Sequence, residues 1–290
     1  MNISIARHCY NCFYLSYINL NGTIRSSNET AVSPHNRAFR YGYGLFETML
    51  VREVRILLAG YHFERLFSGM QQLYFSVPKH FTAAWLAEEV LRTVQKNGLE
   101  KLCRVRLQVY GGPGGLYDAA SQQPEFIIEC FPLDAHILLL NENGLVTGIA
   151  TGVRKAADSL SQFKSCNALI YAVAAQQARQ QKWNDALICN TSGHIIESTI
   201  ANIFWIKDRQ VFTPPVAEGC VAGVMRRHLL ETLPANGFNI TEQSLSPELL
   251  QQADEVFLTN AIRRVKWIKA VEDNTYNCDL AREIARAVIH

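Results

Sequence analysis

The sequence lacks the features that mark membrane proteins, nucleic-acid-binding proteins and secreted proteins. Its net charge is only +2 and it has no long basic run, so charge does not indicate binding to nucleic acid or to a membrane surface. Its apolar runs are too short to span a bilayer. Residues 1–8 contain no apolar segment followed by a small-residue cleavage site. We therefore predict no signal peptide and a cytoplasmic protein.

The chain has eight cysteines among its 290 residues, but few of them are closely spaced in the sequence. They are scattered in a way that is typical of reduced cytosolic residues rather than of a disulfide framework. Cys9 and Cys12 form a single CxxC beside His8, but a zinc site needs a second ligand pair of similar spacing. We interpret these two residues as strand cysteines and predict no metal site.

Apolar residues are plentiful, at 48% against 19% charged residues, which favours one or two globular domains with substantial cores. The pattern predicts an opening hairpin that turns at Asn21-Gly22 and a loop over 33–44. Helical spacing then predicts two helices, the second capped by Thr82. The predicted elements of this half are strands at 45–51, 56–58, 102–110 and 125–131 and helices at 61–75 and 82–96.

The second half alternates strands and helices differently. The predicted strands are 145–150, 185–189, 194–196, 200–206, 210–212, 255–259 and 265–268, and the predicted helices are 169–180, 224–233 and 279–289. We predict an α+β protein of two domains. Residues 1–131 form the smaller N-terminal α+β domain, residues 132–138 a linker and residues 139–290 the larger C-terminal domain.

Lys164 and Glu197 are the charged residues whose positions call for an explanation. Lys164 precedes a helix with one apolar face, and a lysine whose amine is desolvated can act as a Schiff-base nucleophile. Glu197 ends one strand pattern and precedes another. A pyridoxal-phosphate site needs a lysine and a charged partner for the ring nitrogen. From each segment alone, a surface lysine and a strand-end ion pair are the alternatives.

A phosphate group would find donors in two further segments. The glycine-containing turn at 219–223 precedes a helix, whose first backbone N–H groups and positive dipole end attract anions. Arg65 can add a bidentate contact. The alternatives are an ordinary turn and, for Arg65, an ordinary surface ion pair with Glu64 or another neighbour.

These segments together resemble the class IV, or fold-type IV, pyridoxal-phosphate enzymes, in that family's order over about residues 34–269. The most specific match is the glutamate signature at 197–204, Glu-Ser-Thr-Ile-Ala-Asn-Ile-Phe. The other matching segments are 36–48, 62–66, 164–167, 211–215, 223–226 and 253–257.

The resemblance implies pyridoxal 5′-phosphate as the cofactor and assigns a role to each matching segment. Lys164 would form the Schiff base and move the proton, and Glu197 would pair with the pyridine nitrogen. The phosphate would be bound by Arg65 and the backbone of Val224 and Met225, with a further contact from Asn260 and Ala261. The resemblance also implies a homodimer, with the cofactor between the two domains and near the subunit interface.

Within the family, the sequence is most similar to aminodeoxychorismate lyase. Branched-chain aminotransferases place a tyrosine shortly after the lysine, whereas here none follows before Tyr171. The Asn260-Ala261 pair, Met225 and the Gly-Gly-Leu-Tyr segment at 114–117 resemble the lyase. Against it, Gly111 stands where the lyase loop begins with arginine, and Arg263-Arg264 is typical of none of these enzymes.

The resemblance therefore implies a lyase that eliminates pyruvate from 4-amino-4-deoxychorismate to give 4-aminobenzoate for folate synthesis. A class IV aminotransferase for a D-amino acid or a branched-chain amino acid is the alternative, and a non-catalytic homologue that binds the cofactor is a more distant one. The substrate is a small molecule with an amine and carboxylates. Arg106 and Arg263 are the candidate carboxylate-binding residues, with Tyr41 and Tyr117 as hydroxyl partners, although each arginine can instead form an ion pair at a strand end.

Overall fold

A computed structural model describes residues 16–29, 32–115, 117 and 122–288. Its first half is built on a six-stranded antiparallel sheet of order β2-β1-β6-β5-β3-β4. The strands are β1 (Tyr17–Leu20), β2 (Thr23–Ser26), β3 (Gly44–Arg52), β4 (Arg55–Ile56), β5 (Leu102–Gly111) and β6 (Pro124–Pro132). The predicted hairpin at Asn21-Gly22 is confirmed, because β1 pairs with β2 across that turn and both turn residues have positive φ.

Two long helices, α2 (Ala59–Gln72) and α3 (Ala83–Lys96), cover one face of this sheet. Their apolar stripes pack on alternate residues of β3 and β5 and bury a core that includes Met49, Leu66 and Val90. Thr82 caps α3 as predicted, since its side chain accepts a hydrogen bond from the Trp85 N–H at 3.2 Å. A short helix, α1 (Arg37–Tyr41), lies within the predicted loop and is capped by the Asn36 side chain.

The second half forms a nine-stranded mixed sheet of order β12-β11-β10-β13-β14-β7-β8-β9, with β15 paired to β14. Its strands are β7 (Leu145–Ile149), β8 (Asp185–Cys189), β9 (Ile195–Ser198), β10 (Asn202–Lys207), β11 (Gln210–Thr213), β12 (Ile240–Glu242), β13 (Glu255–Asn260), β14 (Arg264–Val271) and β15 (Asn274–Thr275). The helices are α4 (Leu169–Gln181), α5 (Val224–Thr232), α6 (Pro247–Gln251) and α7 (Asp279–Val288).

The strands divide between the two sheets at the segment where the sequence predicts a linker, since β6 ends at Pro132 and β7 begins at Leu145. That the halves are separate domains stays a prediction. No helix among the described residues has the length and apolar character needed to cross a membrane. The predicted strand cysteines, Cys9 and Cys12, lie outside the described residues.

Candidate active site

A cavity of about 1640 Å³ is lined by residues of both sheets. It gathers most of the predicted site residues, although they come from distant parts of the chain. Those that line it are Tyr41, Arg65, Arg106, Lys164, Glu197, Val224, Met225, Asn260, Ala261 and Arg263. Tyr117 is not among the lining residues; its ring lies 5.5 Å from that of Tyr41 and is 81% exposed.

Lys164 is held against the first sheet by its own backbone. Its carbonyl oxygen accepts a hydrogen bond from the Phe46 N–H at 2.8 Å, and the Cys166 N–H donates to the Gly44 carbonyl at 2.8 Å. The segment therefore pairs with the start of β3. The Lys164 Nζ atom lies 4.5 Å from the centre of the Phe46 ring and forms no hydrogen bond with any other described residue.

The environment of Lys164 suits a nucleophilic amine. Burial and the nearby Arg65 guanidinium lower the pKa of Lys164 from 10.5 to about 8, although Glu47 and Glu197 act in the opposite direction. Near neutral pH, a lysine with this pKa reaches its uncharged, nucleophilic form far more readily than an exposed lysine does.

The lowered pKa predicts that Lys164 destabilises the fold at neutral pH. Below pH 8 the unfolded chain, with a lysine pKa near 10.5, binds the proton more favourably than the folded chain. This cost disappears as pH rises from 8 to 10.5. We expect Lys164→Met to stabilise the cofactor-free protein at pH 7 by about 1–3 kcal/mol, with a smaller gain at higher pH. Urea unfolding at several pH values measures this, with the exposed Lys207→Met as control; a pH-independent gain would contradict it.

Glu197 is buried and accepts three hydrogen bonds from the protein. Its Oε1 atom accepts from Lys155 Nζ at 2.6 Å and from the Tyr171 hydroxyl at 2.7 Å, and its Oε2 atom accepts from the Val221 N–H at 2.9 Å. Burial and the Glu197 charge raise the pKa of Tyr171, so its hydroxyl keeps the proton that it donates. The carboxylate is thereby fixed at the wall of the cavity.

Lys155 is a second lysine of the site, and sequence reasoning missed it. Its Nζ atom donates to Glu197 and to the Ser161 carbonyl at 3.0 Å, and the residue is only 7% exposed. An ammonium held by these acceptors is not an available nucleophile, whereas the amine of Lys164 is without such partners among the described residues. This contrast favours Lys164 as the Schiff-base residue.

Arg65 is fixed by Glu47, which sequence reasoning also missed. The Arg65 guanidinium donates to both carboxylate oxygens of Glu47, at 2.8 and 2.5 Å, and the His62 ring lies 2.6 Å from the same carboxylate. Burial alone would raise the pKa of Glu47, but Arg65 and His62 outweigh it and lower the pKa to about 2. Arg65 does not pair with Glu64, because Glu64 pairs with Arg227 at 2.8 Å; the ion pair of Arg65 is with Glu47, and both side chains are largely buried.

The same arginine reaches the start of α5. Its third contact is a hydrogen bond from Nη1 to the Ala222 carbonyl at 2.9 Å. Gly223, the N-cap of α5, provides no side-chain cap, so the first N–H groups of the helix remain available. A β-carbon at Gly223 would overlap the Asn202 side chain, whose amide holds the Val221 carbonyl at 2.9 Å.

These features fit a phosphorylated pyridine cofactor. Arg65 and the uncapped start of α5 offer donors for a phosphate, as expected for anion binding at a helix N-terminus. Glu197 offers a carboxylate and Lys164 an amine on the walls of the same cavity. The roles of Val224 and Met225 in binding through their backbone N–H groups stay predictions.

Asn260, Arg106 and Arg263 also line the cavity. Asn260 shapes the turn after β13, since its side-chain oxygen accepts from the Ile262 and Arg263 N–H groups at 3.0 and 2.7 Å. Its predicted phosphate contact stays a prediction. The Arg106 guanidinium lies 3.8 Å from the Phe46 ring centre and donates to the Gln108 side chain at 2.8 Å, while Arg263 is exposed.

The chain is similar to two kinds of known protein. Residues 44–271 match the family model described as amino-transferase class IV. An aminodeoxychorismate lyase from Vibrio harveyi is 28% identical over 246 residues, which covers 84% of this chain and 88% of the lyase. A branched-chain-amino-acid aminotransferase from Escherichia coli (strain K12) is 24% identical over 264 residues, which covers 88% of this chain and 85% of that enzyme.

The fold is also that of a solved structure. The crystal structure of the branched-chain aminotransferase from the archaeon Thermoproteus uzoniensis superimposes with a TM-score of 0.86 at 23% identity, covering 93% of this chain and 92% of that one. At this level of identity the likeness concerns the fold.

Proposed function

The chain belongs to the class IV aminotransferase family, and from this premise we propose that it is a 4-amino-4-deoxychorismate lyase. It would release pyruvate and 4-aminobenzoate, the latter for folate synthesis. Family membership confirms the predicted cofactor, pyridoxal 5′-phosphate, and the predicted class of pyridoxal-phosphate-dependent enzyme. The choice of the lyase reaction rests on the similarity to the Vibrio harveyi lyase and on the arguments that follow.

Each of the site residues would have a distinct role in such a reaction. Pyridoxal phosphate, when bound, supplies a carbonyl for the substrate amine and a ring that accepts electrons from the amine-bearing carbon. Lys164 would hold the cofactor until the substrate amine replaces it, and its freed amine would then take the proton from that carbon. Glu197 would pair with the ring nitrogen, and Arg65 with the start of α5 would bind the phosphate.

The position of Tyr171 is the observation that carries the choice against a branched-chain aminotransferase. In those enzymes a tyrosine shortly after the lysine lies against the ring oxygen of the cofactor. Here the first tyrosine after Lys164 is Tyr171, and its hydroxyl donates to Glu197 Oε1 at 2.7 Å. Its hydroxyl is thus bonded to the carboxylate predicted for the ring nitrogen, which argues against a branched-chain aminotransferase.

The cavity also suits a substrate with two carboxylates. Arg106 projects from β5 of the first sheet and Arg263 lies between β13 and β14 of the second, and both line the same cavity as Lys164. Tyr41 lines it as well, and the exposed Tyr117 ring lies next to Tyr41. We propose that the two arginines bind the carboxylates and that the tyrosines provide hydroxyl groups.

We further propose a cytoplasmic homodimer whose interface lies beside this cavity. Tyr41 lines the cavity, the Tyr117 ring lies beside it, and Phe39 belongs to the same short helix as Tyr41. All three are exposed, Phe39 at 78%, Tyr41 at 39% and Tyr117 at 81%. Exposed apolar groups that lie together are typical of protein interfaces. Light scattering of the purified protein tests the oligomeric state.

Product analysis tests the proposed reaction. With 4-amino-4-deoxychorismate alone, we expect stoichiometric 4-aminobenzoate and pyruvate, and no requirement for a 2-oxo acid. The Lys164→Ala variant controls for spontaneous elimination. Since an aminotransferase would use the same Lys164 and Glu197, D- and L-amino acids with 2-oxoglutarate form the second arm. Amino-acid turnover without 4-aminobenzoate would establish the aminotransferase instead, and failure to take up pyridoxal phosphate would exclude both enzymes.

A further inference from the structure

Lys155 is held in the site by hydrogen bonds of its backbone and of its side chain. It follows β7, and its backbone N–H donates to the Cys189 carbonyl at 3.0 Å while its carbonyl accepts from the Thr191 N–H at 3.1 Å. These bonds extend the parallel pairing to the end of β8. The side chain is 9% exposed and its Nζ atom lies 2.6 Å from Glu197 Oε1. The pairing with β8 thus fixes the backbone of Lys155, and the contact with Glu197 fixes its side chain.

The hydrogen bonds to Glu197 leave little of the carboxylate free. An ionised carboxylate has two oxygens and about four acceptor sites. Lys155 and Tyr171 occupy Oε1, and the Val221 N–H occupies one site of Oε2. One acceptor site therefore remains, and it lies on Oε2.

Lys155 also links Glu197 to the segment that carries Lys164. Its Nζ atom donates to the Ser161 carbonyl at 3.0 Å, three residues before Lys164. The turn is closed by the Ser161 hydroxyl, whose Oγ atom lies within hydrogen-bond distance of the Ala156 carbonyl oxygen, at 2.6 Å, and of Asp158 Oδ1, at 2.8 Å. One ammonium group thus ties the predicted partner of the ring nitrogen to the loop of the predicted Schiff-base lysine.

We propose that Lys155 is a positioning residue that neutralises the charge of Glu197 and leaves only Oε2 for the ring nitrogen of pyridoxal phosphate. The ring nitrogen then holds its proton less firmly than it would beside a carboxylate with no neighbouring cation. An anion favours the protonated pyridine, and a cation 2.6 Å from the same carboxylate opposes this effect. This inference rests on the cofactor and on the role of Glu197 given above, and does not depend on which reaction follows.

Nitrogen-15 NMR of the bound, ring-labelled cofactor tests the proposal independently of turnover. In Lys155→Gln, which keeps a hydrogen-bond donor but removes the charge, we expect the ring nitrogen to hold its proton to a pH higher by roughly one to two units. Lys155→Arg keeps the charge and is expected to restore the wild-type titration. Tyr171→Phe removes a neutral donor from the same Oε1 atom, so its shift is expected to be clearly smaller.

Each possible result of the NMR titration either supports or overturns the proposed role of Lys155. Equal shifts in Tyr171→Phe and Lys155→Gln would overturn the proposal, because the effect would then follow hydrogen bonding and not charge. An unshifted titration in folded Lys155→Gln would overturn it too. If Lys155→Gln does not fold, the wild-type protein decides: a nitrogen that stays fully protonated up to the pH of unfolding overturns the proposal, and one that titrates supports it.

The control is Lys207→Gln, which removes an exposed lysine bonded to Asp254 at 2.9 Å and is expected to leave the titration unchanged. Failure of this inference is distinguishable from failure of the proposed function. A protein that forms 4-aminobenzoate but shows no dependence on Lys155 would retain its function and lose this inference only.

Discussion

Lys164→Ala is expected to lose covalent attachment of pyridoxal phosphate and to lower turnover by at least about two to four powers of ten, the usual contribution of a positioned proton-transfer group. The physical reason is that the amine of Lys164 has no hydrogen-bond partner among the described residues, and that burial and Arg65 lower its pKa to about 8. Lys155 does not replace it, because Glu197 and the Ser161 carbonyl already hold its ammonium group.

Borohydride reduction followed by peptide mapping identifies the attached lysine directly. In the wild-type protein we expect the cofactor on the peptide that contains Lys164 and none on the peptide that contains Lys155. Lys207→Ala, an exposed substitution, is the control and is expected to retain both attachment and turnover. A modified Lys155 peptide would contradict the assignment and would exchange the roles of the two lysines.

Site residues could be predicted from the sequence where a single short motif contains them. Lys164, Glu197 and Arg65 lie in contiguous motifs, and all three line one cavity. Lys155 lies outside the matching segments, and Glu47 lies in the matching segment 36–48 but was assigned no role there, because each acts on a partner distant in sequence. Lys155 reaches Glu197 across 42 positions, and Glu47 reaches Arg65 across 18. A buried ion pair leaves no periodic pattern in the sequence, so it can be identified only from the three-dimensional arrangement of strands and helices.

Long secondary-structure elements were predicted from the sequence, whereas very short ones were not. Helices α2 and α3 and strands β5 and β6 were predicted because they repeat an apolar period over many residues. The helices α1 and α6 have five residues each and β15 has two, which is too short for any period to show. Helix α1 is defined instead by its cap, the Asn36 side chain, which accepts from the Ala38 N–H at 2.8 Å.

Two buried carboxylates organise the charges around Lys164. Glu47 holds Arg65 from the side of the first sheet, and Glu197 is held by Lys155 from the side of the second. Each carboxylate is matched by a neighbouring cation, so neither is available as a close counter-ion for Lys164. This arrangement allows burial and Arg65 to lower the pKa of Lys164 to about 8, and it keeps a cation at the predicted phosphate position.

Glu47→Gln is expected to destabilise the protein at pH 7 by about 3 kcal/mol, the second of the two largest effects. The pKa of Glu47 is about 2 in the folded chain and 4.5 in the ordinary carboxyl group, and one pKa unit corresponds to about 1.4 kcal/mol. Because the folded pKa is the lower one, this stabilisation is complete above pH 4.5 and is lost as pH falls from 4.5 to 2. The neutral amide also leaves the Arg65 guanidinium without a carboxylate counter-ion.

Urea unfolding of the two proteins from pH 7 down to the acid limit of folding measures this difference. The wild-type advantage is expected to shrink below pH 4.5, because protonation of Glu47 then removes the charge that the variant already lacks. Glu64→Gln is the matched control, since Glu64 lies on the same helix as Arg65 but is 60% exposed and pairs with Arg227. Its effect is expected to stay within about 0.5 kcal/mol. An equal loss of stability in both variants, or a Glu47→Gln difference that does not vary with pH, would show that Glu47 is not the charged anchor of Arg65.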